Sequence, residues 1–333
     1  MPSSGSEPAA GASAAEPGRW HRAWPWVRRG LTLLFFAGLA LLLTERARAL
    51  DWNQVGAALA AYDLETLAAA GLLAAASYGL YCGFDLFGRR YTAHKLATGA
   101  VVSTAFVSYA FNLNLGALVG GVGFRYRLYS RYGLDAATIT RVLGLSMVSN
   151  WLGYLPLAGA VFATGVVSLP AQFRLGELAL QALGVVLLLA APAYLALCAF
   201  SSRRYWRVRG LRIDLPHAPM AFAQLLLSIS NWLTIGGVVW VLLGGAIDYP
   251  TVLAALLLGA IAGVLTHVPA GLGVLEAVFL TVLDGRMAEA PILAALLAYR
   301  ALYYLLPGLV ALVIYLGLEA RARWRPVAIR SPM

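Results

Sequence analysis

Long apolar stretches alternate with short polar connections along most of the chain. A first apolar run, Gly30 to Thr44, is followed by runs at about 64–88, 96–124, 143–167, 177–200, 218–246, 250–283 and 291–318. Several approach the roughly 20 residues that cross a bilayer as a helix, so the pattern predicts an all-α polytopic membrane protein. Before the second run, Asp51 to Ala61 carries Trp52, Val55 and Leu59 at helical spacing and predicts a short helix lying in the interface. Residues 1–18 are Ser, Gly, Ala, Pro and Glu without apolar periodicity, which predicts a disordered tail. A single transmembrane domain over 24–320 and a basic cytoplasmic tail over 321–333 complete the expected organisation. Ala47-Arg48-Ala49 also fits a signal-peptidase site, so cleavage of the first run is the rival reading of that segment.

The connections decide the orientation. Arg19, Arg22, Arg28 and Arg29 precede the first run; Arg89, Arg90 and Lys95 follow the second; Arg125, Arg127 and Arg131 follow the third. Arg203, Arg204, Arg207, Arg209 and Arg212 follow the fifth, and Arg321, Arg323, Arg325 and Arg330 end the chain. Positive charge stays on the cytoplasmic side, so all these clusters and both termini are expected there. Lys95 and Arg125 then share a side, and the run 96–124 between them must enter and return. The run 250–283, flanked by Asp248 and Asp284, must do the same from the outer side.

Both runs carry helix breakers where a turn is needed. Asn112, Asn114, Gly116, Gly120, Gly121 and Gly123 stand in the first, and His267, Pro269, Gly271 and Gly273 in the second. Limbs this short predict re-entrant hairpins, although two full crossings each would satisfy the same parity. The order helix, helix, hairpin, helix then occurs twice with opposite orientation, an inverted repeat of the kind that builds many transporters. Gly120-Gly121-Val122-Gly123 corresponds to Ala270-Gly271-Leu272-Gly273, and the helix after each hairpin carries an arginine, Arg141 or Arg300.

Composition sharpens the class. Hydrophobic residues make up 61% of the 333 and charged residues only 12%, against about 45–50% and about 25% in soluble proteins. A water-soluble enzyme is thereby excluded. The net charge of +10 comes from 25 basic residues, all arginine except Lys95; because they cluster between apolar runs, they read as topology signals and not as a nucleic-acid surface. Cys82 and Cys198 fall inside spans without metal or disulfide spacing. No cofactor, metal or catalytic motif is expected.

The chemistry sits at the breaks. Arg300 lies about ten residues into an apolar run, where an unpaired arginine costs about 2.5–3.5 kcal/mol. Glu276, one turn beyond the glycines of the second hairpin, is its expected partner, either as a lock between hairpin and helix or as part of a substrate site. The segment from His267 to Glu276, with Pro269, Gly271 and Gly273, has the ingredients of an anion site, since glycines admit close approach and a half-helix N-terminus attracts negative charge. His267 itself reads more readily as a hydrogen-bonded structural residue. In the first hairpin Asn112 and Asn114 need partners at membrane depth, and Arg125 and Arg127 read either as span anchors or as a phosphate-binding cluster at headgroup level. Asp85 is expected to pair with Arg89 at i, i+4. The repeated Ser149-Asn150-Trp151-Leu152 and Ser230-Asn231-Trp232-Leu233 are expected to glue helices together along a cavity.

These residues carry a resemblance. Tyr109-Ala-Phe-Asn-Leu-Asn-Leu, Val119-Gly-Gly-Val-Gly-Phe-Arg-Tyr-Arg-Leu-Tyr, Ser149-Asn-Trp-Leu-Gly-Tyr, Val268-Pro-Ala-Gly-Leu-Gly-Val-Leu-Glu276 and Tyr299-Arg300 with Pro307 resemble the lysylphosphatidylglycerol synthase transmembrane-region family. That family includes the flippase region of the bacterial multiple-peptide-resistance factor and single-domain inner-membrane proteins, and this chain looks most like the single-domain branch. The resemblance runs from about 25 to 320. It implies a bacterial inner-membrane protein that handles anionic or modified phospholipid in a flippase-like way. The substrate would be bound by Asn112, Asn114, Gly121, Gly123, Arg125, Arg127, His267, Pro269, Gly271, Gly273, Glu276 and Arg300. Nothing after Arg330 matches the soluble aminoacyl-transfer domain of the full-length synthases, so enzymatic lipid modification is not expected. The rival functions are a secondary transporter for a small anionic solute and a non-catalytic partner of a lipid-modifying enzyme. Membrane phospholipid is the expected partner, with such an enzyme or a second copy of the chain as further candidates and nucleic acid excluded.

Overall fold

The computed structural model describes residues 52–165, 177–203, 205–208, 211–266, 268 and 271–323. The expected N-terminal tail, the first apolar run, the end of the basic tail, His267 and Pro269 lie outside these residues.

The fold is helical. A short α1 (Trp52–Ala60) precedes α2 (Leu64–Thr92). Helix α3 (Thr98–Leu115) runs into a π-helical segment (Ala117–Gly123) and α4 (Phe124–Arg131). Then come α5 (Ala136–Ala163), α6 (Glu177–Phe200) and α7 (Ala218–Leu242). The second hairpin is α8 (Tyr249–Thr266) and α9 (Val274–Val282), and α10 (Glu289–Tyr299) passes through a second π-helical segment (Arg300–Leu305) into α11 (Leu306–Arg323). Among the described residues six stretches are long and apolar enough to cross a membrane: α2, α5, α6, α7, α8 and the continuous α10–α11. One feature was not expected from the apolar pattern. In the arginine-rich connection after α6, β1 (Tyr205–Val208) and β2 (Leu211–Asp214) form an antiparallel pair with Tyr205 opposite Asp214.

Local chemistry sets the helix starts. The Asp63 carboxylate accepts from Thr66 N at 2.6 Å to begin α2, and Asp135 accepts from Thr138 N at 2.9 Å to begin α5, which satisfies one orphan donor at each end. Those hydrogen bonds hold both carboxyls below their ordinary range. Helix α1 lays Val55 inward while Trp52 stays exposed, and it packs on α10.

Helices α2 and α7 lie along each other, α5 packs against both, and α6 covers α5. Phe84, Val238 and Val239 are fully buried there. A polar bond crosses the same interface, with Ser77 Oγ donating to Asn231 Oδ1 at 2.7 Å. The Ser-Asn-Trp-Leu repeats act as expected: Gln224 Nε2 donates to Ser149 Oγ, and Ser228 Oγ and Trp232 Nε1 both donate to the Asn150 carbonyl, each at 2.8 Å. Such bonds join helices where lipid offers no hydrophobic drive.

The first hairpin folds back at Gly116, whose φ of 84° is open to glycine at little cost. Its return limb lies so close that a Cβ at Gly120 would collide with the Phe111 carbonyl. The second hairpin pairs α8 with α9, which has only 9 residues.

Candidate functional site

Between the tips of the two hairpins lies a cavity of about 740 Å³, within the range of ligand pockets, about 300–1,000 Å³. Its walls come from five separated stretches of chain. Residues 115–119 contribute the first hairpin tip and Gly263, Val264, Val268 and Gly271 the second, Trp151 and Trp232 come from α5 and α7, and Tyr299 and Tyr304 flank Arg300. The rim is apolar and open: Leu118 is 83% exposed, and Leu115, Val119 and Val264 are exposed as well. Polar groups are few. Asn112 lines the cavity, as do Tyr109, Tyr299 and Tyr304.

The expected Glu276–Arg300 pair is formed. Arg300 Nε donates to Glu276 Oε1 at 2.6 Å and Nη2 to Oε2 at 3.0 Å, a fork-to-fork geometry. Nη2 also donates to the Gly271 carbonyl at 3.1 Å, and the guanidinium lies 5.5 Å from the Tyr304 ring centroid. Gly271 and Tyr304 both line the cavity, so the pair stands directly behind its wall. Each side chain keeps some exposure, 11% for Arg300 and 18% for Glu276. Gly271 at φ 57° shapes the turn, and Gly273 at φ 76° is the N-cap of α9, which brings Glu276 into the first helical turn.

Arg125 and Arg127 do not form a cluster. Two residues apart on α4, they point to different surroundings, because a helix turns about 100° per residue. Arg125 is buried and donates from Nε and Nη2 to the two oxygens of Asp85 at 3.1 and 3.0 Å. It also donates to the Gly121 carbonyl at 3.3 Å and to Ser146 Oγ at 3.4 Å, and Tyr129 OH donates to Asp85 at 2.8 Å. This corrects the i, i+4 expectation: Asp85 serves Arg125, while Arg89 donates to Thr98 Oγ1 at 2.8 Å. Arg127 is exposed and, with Arg131, pairs with Glu319 of α11. Arg141, the expected counterpart of Arg300, lies over the Tyr91 ring; the arginine that reaches a glycine carbonyl of the first hairpin is Arg125.

Asn114 has a backbone task. Its Nδ2 donates to the Ala110 carbonyl at 2.8 Å and to the Tyr304 carbonyl at 3.0 Å, tying the first hairpin to the second π-helical segment. From the cavity wall a hydrogen-bonded chain runs inward. Tyr109 OH meets Tyr303 OH at 2.9 Å, Tyr303 OH meets Ser77 Oγ at 2.6 Å, and Ser77 meets Asn231. Of the residues singled out in the sequence, the structure therefore brings Asn112 and Gly271 to the cavity wall and Glu276 and Arg300 directly behind it, and sets Gly121 and Arg125, Arg127 and Asn114 at three other places. The aromatic wall was not assembled from the sequence. Its only signal was the recurrence of Trp in the two Ser-Asn-Trp-Leu elements.

The model of a family described as "Lysylphosphatidylglycerol synthase TM region" matches residues 30–311. The chain is 45% identical over 304 residues to the "Inner membrane protein YbhN" of Escherichia coli (strain K12), covering 91% of this chain and 96% of that one. It is 30% identical over 259 residues to the "Uncharacterized protein slr0712" of Synechocystis sp. (strain ATCC 27184 / PCC 6803 / Kazusa), covering 77% and 80%. A "Phosphatidylglycerol lysyltransferase" of Staphylococcus haemolyticus (strain JCSC1435) is 25% identical over 222 residues, which are 62% of this chain and 24% of that protein.

Proposed function

The chain belongs to the lysylphosphatidylglycerol synthase transmembrane-region family and is a multi-pass inner-membrane protein, and from that premise we propose that it moves an anionic or modified phospholipid between leaflets. The activity is transport and not catalysis. The observation that carries this reading is the apolar, exposed rim of the cavity. A mouth lined by Leu115, Leu118, Val119 and Val264 opens to acyl chains, whereas a carrier for a soluble anion needs a mouth that water can wet. The headgroup lies against Asn112 and Tyr304 with Arg300 behind them, and the acyl chains stay in the bilayer across the rim.

In this reading the two hairpins are re-entrant. The nine residues of α9 span about 14 Å at about 1.5 Å each, against a hydrocarbon core of about 30 Å. Broken backbone at that depth needs protein or a wet cavity beside it, and the tips face the cavity. The two halves are inverted repeats with both termini cytoplasmic. Arg125 with Asp85 locks the first hairpin, and Glu276 with Arg300 is the site at the second.

The test is movement of a fluorescent phosphatidylglycerol in proteoliposomes. Arg300→Lys keeps the charge but loses the fork, so movement of phosphatidylglycerol is expected to fall about tenfold, with phosphatidylcholine affected less. No movement of either lipid by the wild-type protein would sink the proposal.

A further inference from the structure

A second cleft, of about 480 Å³, lies at the arginine-bearing end of α2 and shares no lining residue with the central cavity. Leu86, Phe87 and Leu227 form its apolar part; Arg89, Arg90 and Thr98 form its polar part. The carboxylate nearest in sequence, Asp85, is consumed by Arg125 and Tyr129. Among the described residues neither Arg89 nor Arg90 is in an ion pair; Arg89 is held by the neutral Thr98 hydroxyl. The cleft is thus lined by two guanidinium groups without a counter-charge among the described residues. The start of α3 adds to this. Its N-cap is Ala97, which offers no side-chain acceptor to the first N–H groups of an 18-residue helix, so the positive end of the helix dipole adds to the arginine charge.

We propose that this cleft binds the phosphodiester headgroup of an anionic phospholipid from the adjacent leaflet, a site separate from the transport cavity. Arginine forks and a helix N-terminus suit phosphate oxygens. Leu86, Phe87 and Leu227 in the same cleft suit the first part of an acyl chain, which is why the occupant is a lipid and not free phosphate. The bound lipid bridges α2, α7 and the start of the first hairpin, and so steadies the hairpin against the central helix pair.

The experiment counts lipids on the purified full-length protein by native mass spectrometry, after incubation in phosphatidylcholine nanodiscs containing phosphatidylglycerol. Two variants are compared with the wild type. Arg89→Gln/Arg90→Gln removes the charge. Thr98→Glu keeps both arginines as topology signals, suits the first turn of a helix, and supplies Arg89 with the carboxylate it lacks. Each is expected to retain one phosphatidylglycerol fewer, with about tenfold weaker affinity for the remaining occupancy of this site. Arg300→Gln should leave this loss unchanged, which separates the result from the transport reading. Equal phosphatidylglycerol counts in the wild type and Thr98→Glu would overturn the proposal. Displacement of the lipid by inorganic phosphate alone would overturn it as well, since the acyl contacts would then contribute nothing.

Discussion

Two arginines in this protein are held by one recipe with the charges exchanged. Arg125 comes from the first hairpin and takes its carboxylate, Asp85, from a neighbouring helix; Glu276 comes from the second hairpin and takes its guanidinium, Arg300, from a neighbouring helix. Both arginines also reach a carbonyl in a hairpin break, Gly121 or Gly271, the two positions that the sequence aligns. The pairs differ in burial, at 2% and 0% for Arg125 and Asp85 against partial exposure for the other. A buried charge stripped of its partner costs roughly 3–5 kcal/mol. Asp85→Asn is therefore expected to lower the unfolding temperature in detergent sharply, and Asp85→Asn/Arg125→Gln to recover most of it. Glu276→Gln should cost less stability and more lipid movement. Equal destabilisation by Asp85→Asn and Glu276→Gln would place both pairs in the same structural role. The second pair was legible because Arg300 and Glu276 sit deep in apolar runs. The first was not, because Arg125 lies at a span end, where positive charge is ordinary, and the i, i+4 spacing pointed Asp85 at Arg89.

At the scale of elements, glycines marked where both runs turn back, and neither π-helical segment could be read in the same way. Pro307 cannot donate an N–H to the carbonyl four residues earlier. That carbonyl belongs to Tyr303, and Tyr78 OH donates to it at 3.1 Å. The irregular turn thus depends on a hydroxyl from α2, more than two hundred residues away in the chain, which no local pattern encodes. Tyr78→Phe should cost about 1–3 kcal/mol by leaving the carbonyl unpaired, and the cost should shrink in a Pro307→Ala background, where the backbone can supply the bond. A double-mutant cycle on unfolding temperature measures this, and additive effects would break the link. The hairpins are tested by topology. In a protein with Cys82 and Cys198 replaced, single cysteines at the exposed positions 95 and 133 should label from one face of the membrane and a cysteine at 286 from the other. Labelling of 95 and 133 from opposite faces would remove the first hairpin and the inverted repeat together. The β1–β2 pair lay beyond the apolar pattern because its strands are short and rich in arginine.

For the whole molecule, the cavity is the feature least visible in the chain, since its wall is shared among α3, α5, α7, α8 and the second π-helical segment, and only folding brings those residues together. Its volume makes a prediction that stability arguments alone do not. A large side chain added to a packed core typically costs 1–3 kcal/mol through strain, whereas one added to an open cavity has room. Ala260 lines the cavity from α8. Ala260→Trp should fill part of the 740 Å³ with little change in unfolding temperature, while stopping phosphatidylglycerol movement in proteoliposomes. Val186→Trp, on the exposed face of α6 at 63% exposure, adds comparable bulk toward lipid and should leave movement intact. If Ala260→Trp folded and still moved lipid at the wild-type rate, the path would not run between the hairpin tips. If instead it unfolded the protein, the cavity would be a closed part of the core, without room for a ligand.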